Sequence, residues 1–468
     1  MTDLDLPRIQ GFVVRPYDFP FAGYLFLKIG DRPRIGDEPG DVDLAAAWIS
    51  AITEHVQTAA KWTDPPASSV NIAFSYAGLR KLELPDACLA GFPEEFRQGM
   101  AARAAILGDT GKSDPSTWEG SFGSDDIHVL VMISAANAAA LEAHDAQLRA
   151  EIAANSGLSV IQDDVGHRLP QAREHFGYAD GFGQPAIEGS GWPPLPGQGA
   201  IDGAGWRPIR AGEFILGYPD EEGILPAAPP AAELANNGSY LVYRKLRQDV
   251  VAFRTRLAEA AQLYPGGEEL LAAKIVGRWR DGTPIELAPD APDHTIASSE
   301  KRNNAYRYKD PAHDDTKGLR CPIGAHVRRS NPRDSLPFDG KLVNRHRLMR
   351  RGITYGDPLP EGAAEDHKDR GVIFLCLQAS IARQFEFVQS QWLGAGNTFG
   401  LADDQDVLLG PQDQMDPATP KKMTIPGDPP FFLGPLERVV TVRGGEYFFV
   451  PGINGLQFLA AAAGGGAA

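Results

Sequence analysis

A chain of 468 residues has room for two large domains or about three of average size, and 43% hydrophobic with 23% charged residues is the balance of a globular protein. Sixty-one Asp and Glu against 45 Lys and Arg leave a net charge of −16, which argues against a nucleic-acid partner or an anionic membrane, since both demand a basic face. Three cysteines, Cys88, Cys321 and Cys376, are too few for a disulfide framework or a four-thiolate metal site.

The chain opens on an acidic segment without the basic and apolar regions of a secretion signal, and no apolar run reaches the roughly 18 residues of a spanning helix. With the low cysteine usage, this sets the expectation of a cytoplasmic protein with no membrane partner. Apolar runs of strand length stand at 24–29, 128–133, 240–243, 372–377 and 447–450. Helical periodicity covers 45–56 and 135–153, and is best at 380–393, where Ile381, Phe385, Val388 and Trp392 share one face. Residues 459–468 are only Leu, Ala and Gly and read as a low-complexity end with no packing role.

Residues 189–237 are rich in Pro and Gly and too long for a turn, so they predict a domain linker or a functional loop. A division near residue 170 gives an N-terminal unit, 1–170, and a C-terminal unit, 171–468, that carries this loop. Loose alternation of strands and helices in both units predicts an α+β class and admits a twofold architectural repeat, although no internal sequence repeat supports it.

Three glycine motifs fail on context. Gly108-Asp-Thr-Gly-Lys-Ser113 resembles a phosphate loop but has Ile106 where the spacing needs glycine. Gly197-Gln-Gly199 lies in the proline-rich segment, and Gly394-Ala-Gly396 ends a helix where a nucleotide fingerprint would open one. Cys321 and His326 stand five apart, but no second Cys or His pair completes a zinc site.

Two segments remain. Phe176-Gly-Tyr-Ala-Asp-Gly-Phe-Gly-Gln-Pro185 sets Asp180 among glycines and apolar residues. Glycine lets backbone approach a ligand closely, and an acid in such surroundings is expected to have a raised pKa and to shuttle protons. The second runs from His326 to Arg351, with seven Arg and one Lys against Asp334 and Asp339. A basic island in an acidic chain needs an anionic partner or many surface carboxylates. Arginine suits fixed recognition of carboxylates, and His326 at the island's edge reads either as a core histidine or as the axial ligand of a haem whose propionates meet the arginines.

The motifs together resemble the dye-decolourising (DyP-type) haem peroxidases. Gly177-Tyr-Ala-Asp-Gly181 is similar to that family's Gly-x-x-Asp-Gly motif, Gly324-Ala-His-Val-Arg-Arg-Ser-Asn-Pro-Arg333 to its proximal histidine segment, and Leu348-Met-Arg-Arg-Gly-Ile-Thr-Tyr-Gly356 to its distal arginine segment. Arg370-Gly-Val-Ile-Phe374 and Asp406-Val-Leu-Leu-Gly410 follow in the family's order. The resemblance implies two ferredoxin-like α+β domains with antiparallel sheets and peripheral helices, of the dimeric α/β-barrel type, and one haem b per chain. It implies His326 as iron ligand, with Asp406 accepting its other ring proton. Asp180 and Arg350 would be the distal catalytic pair, with Arg351 as competitor for Arg350, while Arg333 would pair with a propionate and Phe374 line the distal pocket. Tyr178 departs from the Phe that relatives often carry.

The implied activity reduces hydrogen peroxide to water through a ferryl haem cation radical while oxidising dyes, phenolics or other organic one-electron donors, best in acid. A non-catalytic haem-binding or haem-handling protein is the alternative, and a haem-free acidic scaffold a remoter one. The natural reductant, any surface Trp or Tyr relay, and the choice between monomer and homo-oligomer stay open.

Overall fold

The computed structural model describes residues 3–154, 157–203, 205–310, 313–411 and 421–463. Runs rich in β-branched and aromatic residues become strands β1 (Phe21–Ile29), β2 (Ser68–Phe74), β3 (Val129–Ala135) and β4 (Leu158–His167) in the first half. The second half supplies β5 (Ser239–Gln248), β6 (Met349–Arg350), β7 (Ile353–Tyr355), β8 (Gly371–Gln378) and β9 (Val440–Val450). All pair antiparallel in one sheet of order β6-β8-β5-β9-β2-β3-β1-β4, with β7 also on β8.

Each half repeats one topology. The order β4-β1-β3-β2 and the order β9-β5-β8-β6 both read 4-1-3-2, the ferredoxin-like arrangement, so the expected α+β class holds. The halves join through a single pair, Phe449 with Phe74. At the far ends, Thr354 Oγ1 donates to the His167 carbonyl at 2.5 Å, so the sheet curls towards a barrel. Gly166 permits this closure, since a Cβ there would lie 2.3 Å from Ile353 Cγ2.

The two sheet faces have different company. Inside the barrel, Tyr24 and Phe26 of β1 meet Tyr243 of β5 edge-on at 5.5 and 5.1 Å. Outside, the first half is covered by α1 (Asp41–Thr53) and α2 (Ala138–Ala154), with Leu141 pressed so close to β1 that a Cβ on Gly23 would lie 3.1 Å from its Cδ1. Helix α3 (Val250–Ala261) packs on α4 (Gly267–Val276), and the outer face of the second half faces α4, α5 (His326–Ser330) and the segment 382–393.

The last of these was expected as an α-helix. It is helical, but wider: Glu386 N–H bonds to the Ile381 carbonyl and Gly394 N–H to that of Gln389, both five residues back. Such π-type turns are rare in helices and concentrate at functional sites.

Two expectations change. Residues 453–463 form α6 (Ile453–Ala463), in which Leu456 and Leu459 are fully buried and which packs on α1, so the chain's end up to 463 does pack. Leucine spacing of three along an alanine-rich helix supplies the apolar stripe; 464–468 lie outside the described residues. Segment 189–237 has little regular structure, but it is fastened down. Phe214, Ile215 and Leu216 are fully buried. Asp220 accepts Arg345 at 3.1 Å and Arg383 at 2.9 Å, tying the segment to 338–346 and to the π-type helix.

Candidate active site

Alternate residues on a strand share a face, and in the second half that outer face is a cavity floor. Arg244, Leu246 and Gln248 of β5 stand beside Phe374 and Val372 of β8 and Val440 and Val442 of β9, with Phe374 directly opposite Arg244 in register. His326 and Val327 of α5, with Phe385, Val388, Gln389 and Leu393 of the π-type helix, line it from the covering side, and the loop around Asp180 closes it. The enclosed space is about 300 Å³.

His326 begins α5, and its Nδ1 lies 3.0 Å from Asp406 Oδ2. Asp406 is fully buried, and its Oδ1 accepts the backbone N–H groups of Leu408 and Leu409 at 3.0 and 2.7 Å. Burial pushes the Asp406 carboxyl up, but His326 and those N–H groups outweigh it and hold the carboxyl below its usual range. Burial pushes the imidazole down, and Asp406 more than reverses this. The pair thus fixes the ring through Nδ1 and leaves Nε2 for the cavity that His326 lines. Among the described residues no group of three or more His, Cys, Asp or Glu is placed to hold a metal ion.

Asp180 sits in a loop that turns through Gly177 (φ +97°) and Gly181 (φ +94°), conformations that favour glycine. Arg350, on β6 opposite Cys376, donates Nη1 to Asp180 Oδ1 at 3.3 Å and Nη2 to the Phe182 carbonyl at 2.7 Å. Gln184 accepts the Arg350 backbone N–H at 3.0 Å, binding strand and loop together. Burial pushes the Asp180 carboxyl up, yet Arg350, the Gly181 N–H and His326 together leave it below the usual carboxylate range. The expectation of a raised pKa from apolar neighbours is therefore corrected: the decisive neighbour is a guanidinium 170 residues on. Arg351 turns the other way, as the next residue of a strand must, and donates Nε to the Phe12 carbonyl at 2.7 Å and Nη1 to that of Arg350 at 2.9 Å. It does not line the cavity.

Arg333 does line it, buried and stacked 3.8 Å over the Tyr306 ring, with Nη1 on the carbonyls of Asn304 and Tyr306. Phe374 lines it as well, 6.2 Å from Phe385. The Tyr178 hydroxyl reaches the Ala272 carbonyl at 3.1 Å, a buried polar contact.

Several cavity residues were missed. Among the described residues, six arginines (Arg244, Arg278, Arg333, Arg347, Arg350 and Arg438) line the cavity against three carboxylates, Asp109, Glu174 and Asp180. Arg244 pairs with Asp109, both buried, across the two halves. A signal for Arg244 existed, a charge directly after the apolar run 240–243; Asp109 was set aside with the failed phosphate loop. An apolar space with surplus guanidinium charge and one histidine nitrogen fits a flat apolar dianion carrying a metal, which is what a haem is.

Known proteins resemble this chain over nearly its whole length. Residues 9–168 match a family model described as a DyP dimeric alpha+beta barrel domain. A dye-decolorizing peroxidase of Mycena epipterygia is 30% identical, covering 98% of this chain and 88% of its own. A solved ancestral D-type dye-decolorizing peroxidase, 30% identical, superposes with a TM-score of 0.82 over 97% of this chain and 99% of its own. Another, a dye-decolorizing peroxidase in complex with 2,6-dimethoxyphenol, is 28% identical with a TM-score of 0.79, over 98% of this chain and all of its own.

Proposed function

The chain belongs to the dye-decolorizing peroxidase family, and from that premise we propose how its own residues carry out the reaction. It is a peroxidase, an oxidoreductase that reduces hydrogen peroxide while oxidising dyes, phenolics or other one-electron donors. The family's enzymes use haem; here the proposal is one haem b per chain, in the second of two units that divide near residue 170. His326 would ligate the iron, oriented by Asp406. Arg333 would belong to the propionate end, and Phe374 to the wall of the peroxide side.

Bound haem supplies an iron centre that takes two oxidising equivalents from peroxide and returns them one at a time. The rest falls to side chains. An Asp180 carboxylate oxygen takes the proton of the incoming peroxide and returns it to the oxygen that leaves as water. Arg350 holds a fixed positive charge, anchored on the Phe182 carbonyl, where negative charge develops. Preorganised charge of this kind is worth about 3–4 kcal/mol of barrier. Val372, Phe374 and Phe385 supply apolar wall to the same cavity.

One observation carries this reading: His326, backed by the buried Asp406, shares one cavity with an Asp–Arg pair. Haem carriage alone needs only the first. The complex of a relative with 2,6-dimethoxyphenol supports phenols as donors here. A cytoplasmic location is part of the proposal and rests on three buried free thiols; no helix among the described residues is long and apolar enough to cross a membrane. The test is an absorption spectrum of purified protein before and after one equivalent of hydrogen peroxide. A Soret band that changes at once is expected. Absence of the band sinks the haem assignment, and an unreactive band leaves the haem-handling alternative.

A further inference from the structure

We propose that Arg347 is the residue that grips a haem carboxylate, and that Arg333 holds the wall behind it; this rests on the haem reading of the same cavity. Four guanidiniums gather at this end, and three of them are already occupied. Arg350 is on Asp180 and the Phe182 carbonyl. Arg278 donates to the carbonyls of Gly282 and Asn303 and to Asn304 Oδ1 at 2.8, 2.7 and 3.2 Å. Arg333 spends Nη1 on the carbonyls of Asn304 and Tyr306 at 3.1 and 2.8 Å and Nη2 on Asn304 Oδ1 at 2.5 Å. Its Nε is buried without a hydrogen-bond partner among the described residues, so only the two Nη atoms are engaged.

Arg347 differs. It is only 7% exposed, yet among the described residues its side chain makes one hydrogen bond and a long one, Nη2 to the Gly183 carbonyl at 3.4 Å. Among the described residues no carboxylate pairs with it, and the charges that act on it most are the like charges of Arg333 and Arg350. Burial and those two neighbours push its pKa down to about 9. A buried guanidinium without an anion is costly, and its planar fork matches a carboxylate in two parallel bonds. Arg347 and Arg333 both stand where the main cavity meets a side pocket of about 20 Å³ lined by Lys341, Asn344 and Trp206, so it is hydrogen bonding that separates them.

The test separates carboxylate recognition from general support of the wall. Apoprotein of the full chain is titrated with haem and with haem dimethyl ester, which lacks both negative charges, for wild type, Arg347→Met and Arg333→Met. Arg347→Met is expected to weaken haem binding about 10- to 100-fold and to leave the ester's affinity within about threefold of wild type. Arg333→Met is expected to weaken both alike. Equal losses for the two ligands in Arg347→Met, no loss at all, or the selective loss appearing in Arg333→Met would overturn the proposal. Should Arg347→Met fail to fold by circular dichroism, Arg347→Lys keeps the charge and removes the fork, and a smaller loss confined to free-acid haem is then expected; losses equal for both ligands overturn it. Wild type that takes up neither ligand overturns the haem reading itself.

Discussion

Replacing Asp406 with Asn isolates what the carboxylate does for His326. The native side chain uses both oxygens, Oδ1 for the N–H groups of Leu408 and Leu409 and Oδ2 for His326 Nδ1. Asparagine brings one oxygen. If it stays on the two backbone donors, the NH₂ faces Nδ1, which must become an acceptor, and the ring proton moves to Nε2. A protonated Nε2 has no lone pair for iron. The opposite flip keeps the tautomer but leaves two buried N–H groups facing an NH₂, at about 1–3 kcal/mol each. The first arrangement costs less, so Asp406→Asn acts as a tautomer switch at nearly constant shape. The charge-assisted bond it removes is worth about 1.5–3 kcal/mol, and haem affinity should fall by about 10- to 150-fold. Haem titration of the apoprotein at the Soret band measures this, with thermal unfolding of the same apoprotein as the control for packing. An affinity within about threefold of wild type, with an unchanged band, would refute the reasoning.

Arg350→Leu should keep haem yet slow the reaction with peroxide by about 10²- to 10³-fold in stopped flow, whereas Arg351→Leu should change that rate by less than about threefold; the reverse pattern would move the role to Arg351. Asp180 is held below the usual carboxylate range, so it is a base above that depressed value and loses the role as pH falls through it. Turnover should therefore persist in mild acid, and Asp180→Asn should lower it by about 10²- to 10⁴-fold and remove the acid limb of kcat/KM for peroxide. A wild-type optimum near pH ~8 counts against Asp180 as the base. In β9, Glu446 accepts the N–H groups of Met100 and Tyr447 on a single oxygen, and burial pushes its pKa from 4.5 to about 7. A carboxyl raised on folding stabilises the fold below its unfolded value and loses that contribution as pH rises through the folded one. Glu446→Gln keeps the accepting oxygen, so it should match wild type near pH ~5 and be more stable near pH ~8, by at most about 3 kcal/mol and nearer 1–2 for this partly exposed group. Unfolding curves that differ by a constant amount across that range would contradict it.

Much of the fold was legible where apolar runs were continuous. The missed strands show what hides one. In β2, Ser68, Ser69 and Asn71 interrupt the run, and Asn71 is tolerated inside because its amide donates to Gln10 Oε1 and the Gln57 carbonyl. In β4, Asp164 is buried because Tyr243 and Lys245, some 80 residues on, reach it at 2.7 Å. Partners at such distances leave no periodic trace. The site followed the same rule. His326, Asp406, Asp180 and Arg350 were picked out because family-like motifs mark them, and the structure brings three of them to one cavity with Asp406 buried behind His326. Arg244 with Asp109 has no motif. Nor does any motif say which arginine of a basic island already has both Nη atoms engaged by carbonyls, which is what separates Arg333 from Arg347.

The duplicated topology also explains why only one half carries the site. In both halves a helical segment joins the third strand to the fourth: α2 in the first, 382–393 in the second. Leu141 of α2 lies against β1, and the outer face there is filled by side chains from its own cover. In the second half the corresponding segment is wound more widely, and Phe385, Gln389 and Leu393, four residues apart, fall on one face of turns of about 4.4 residues and border open space. Trp392, which α-helical spacing would set with Phe385, packs instead with Val343, Val388 and Leu393 and does not line the cavity. The wider winding thus moves a large side chain out of the space beneath. The floor so uncovered carries Arg244 and Arg350, and charges on an open sheet face need either water or an anion. The net charge of −16 therefore misdescribes the molecule at the one place that matters: six guanidiniums line a cavity that a globally acidic surface surrounds.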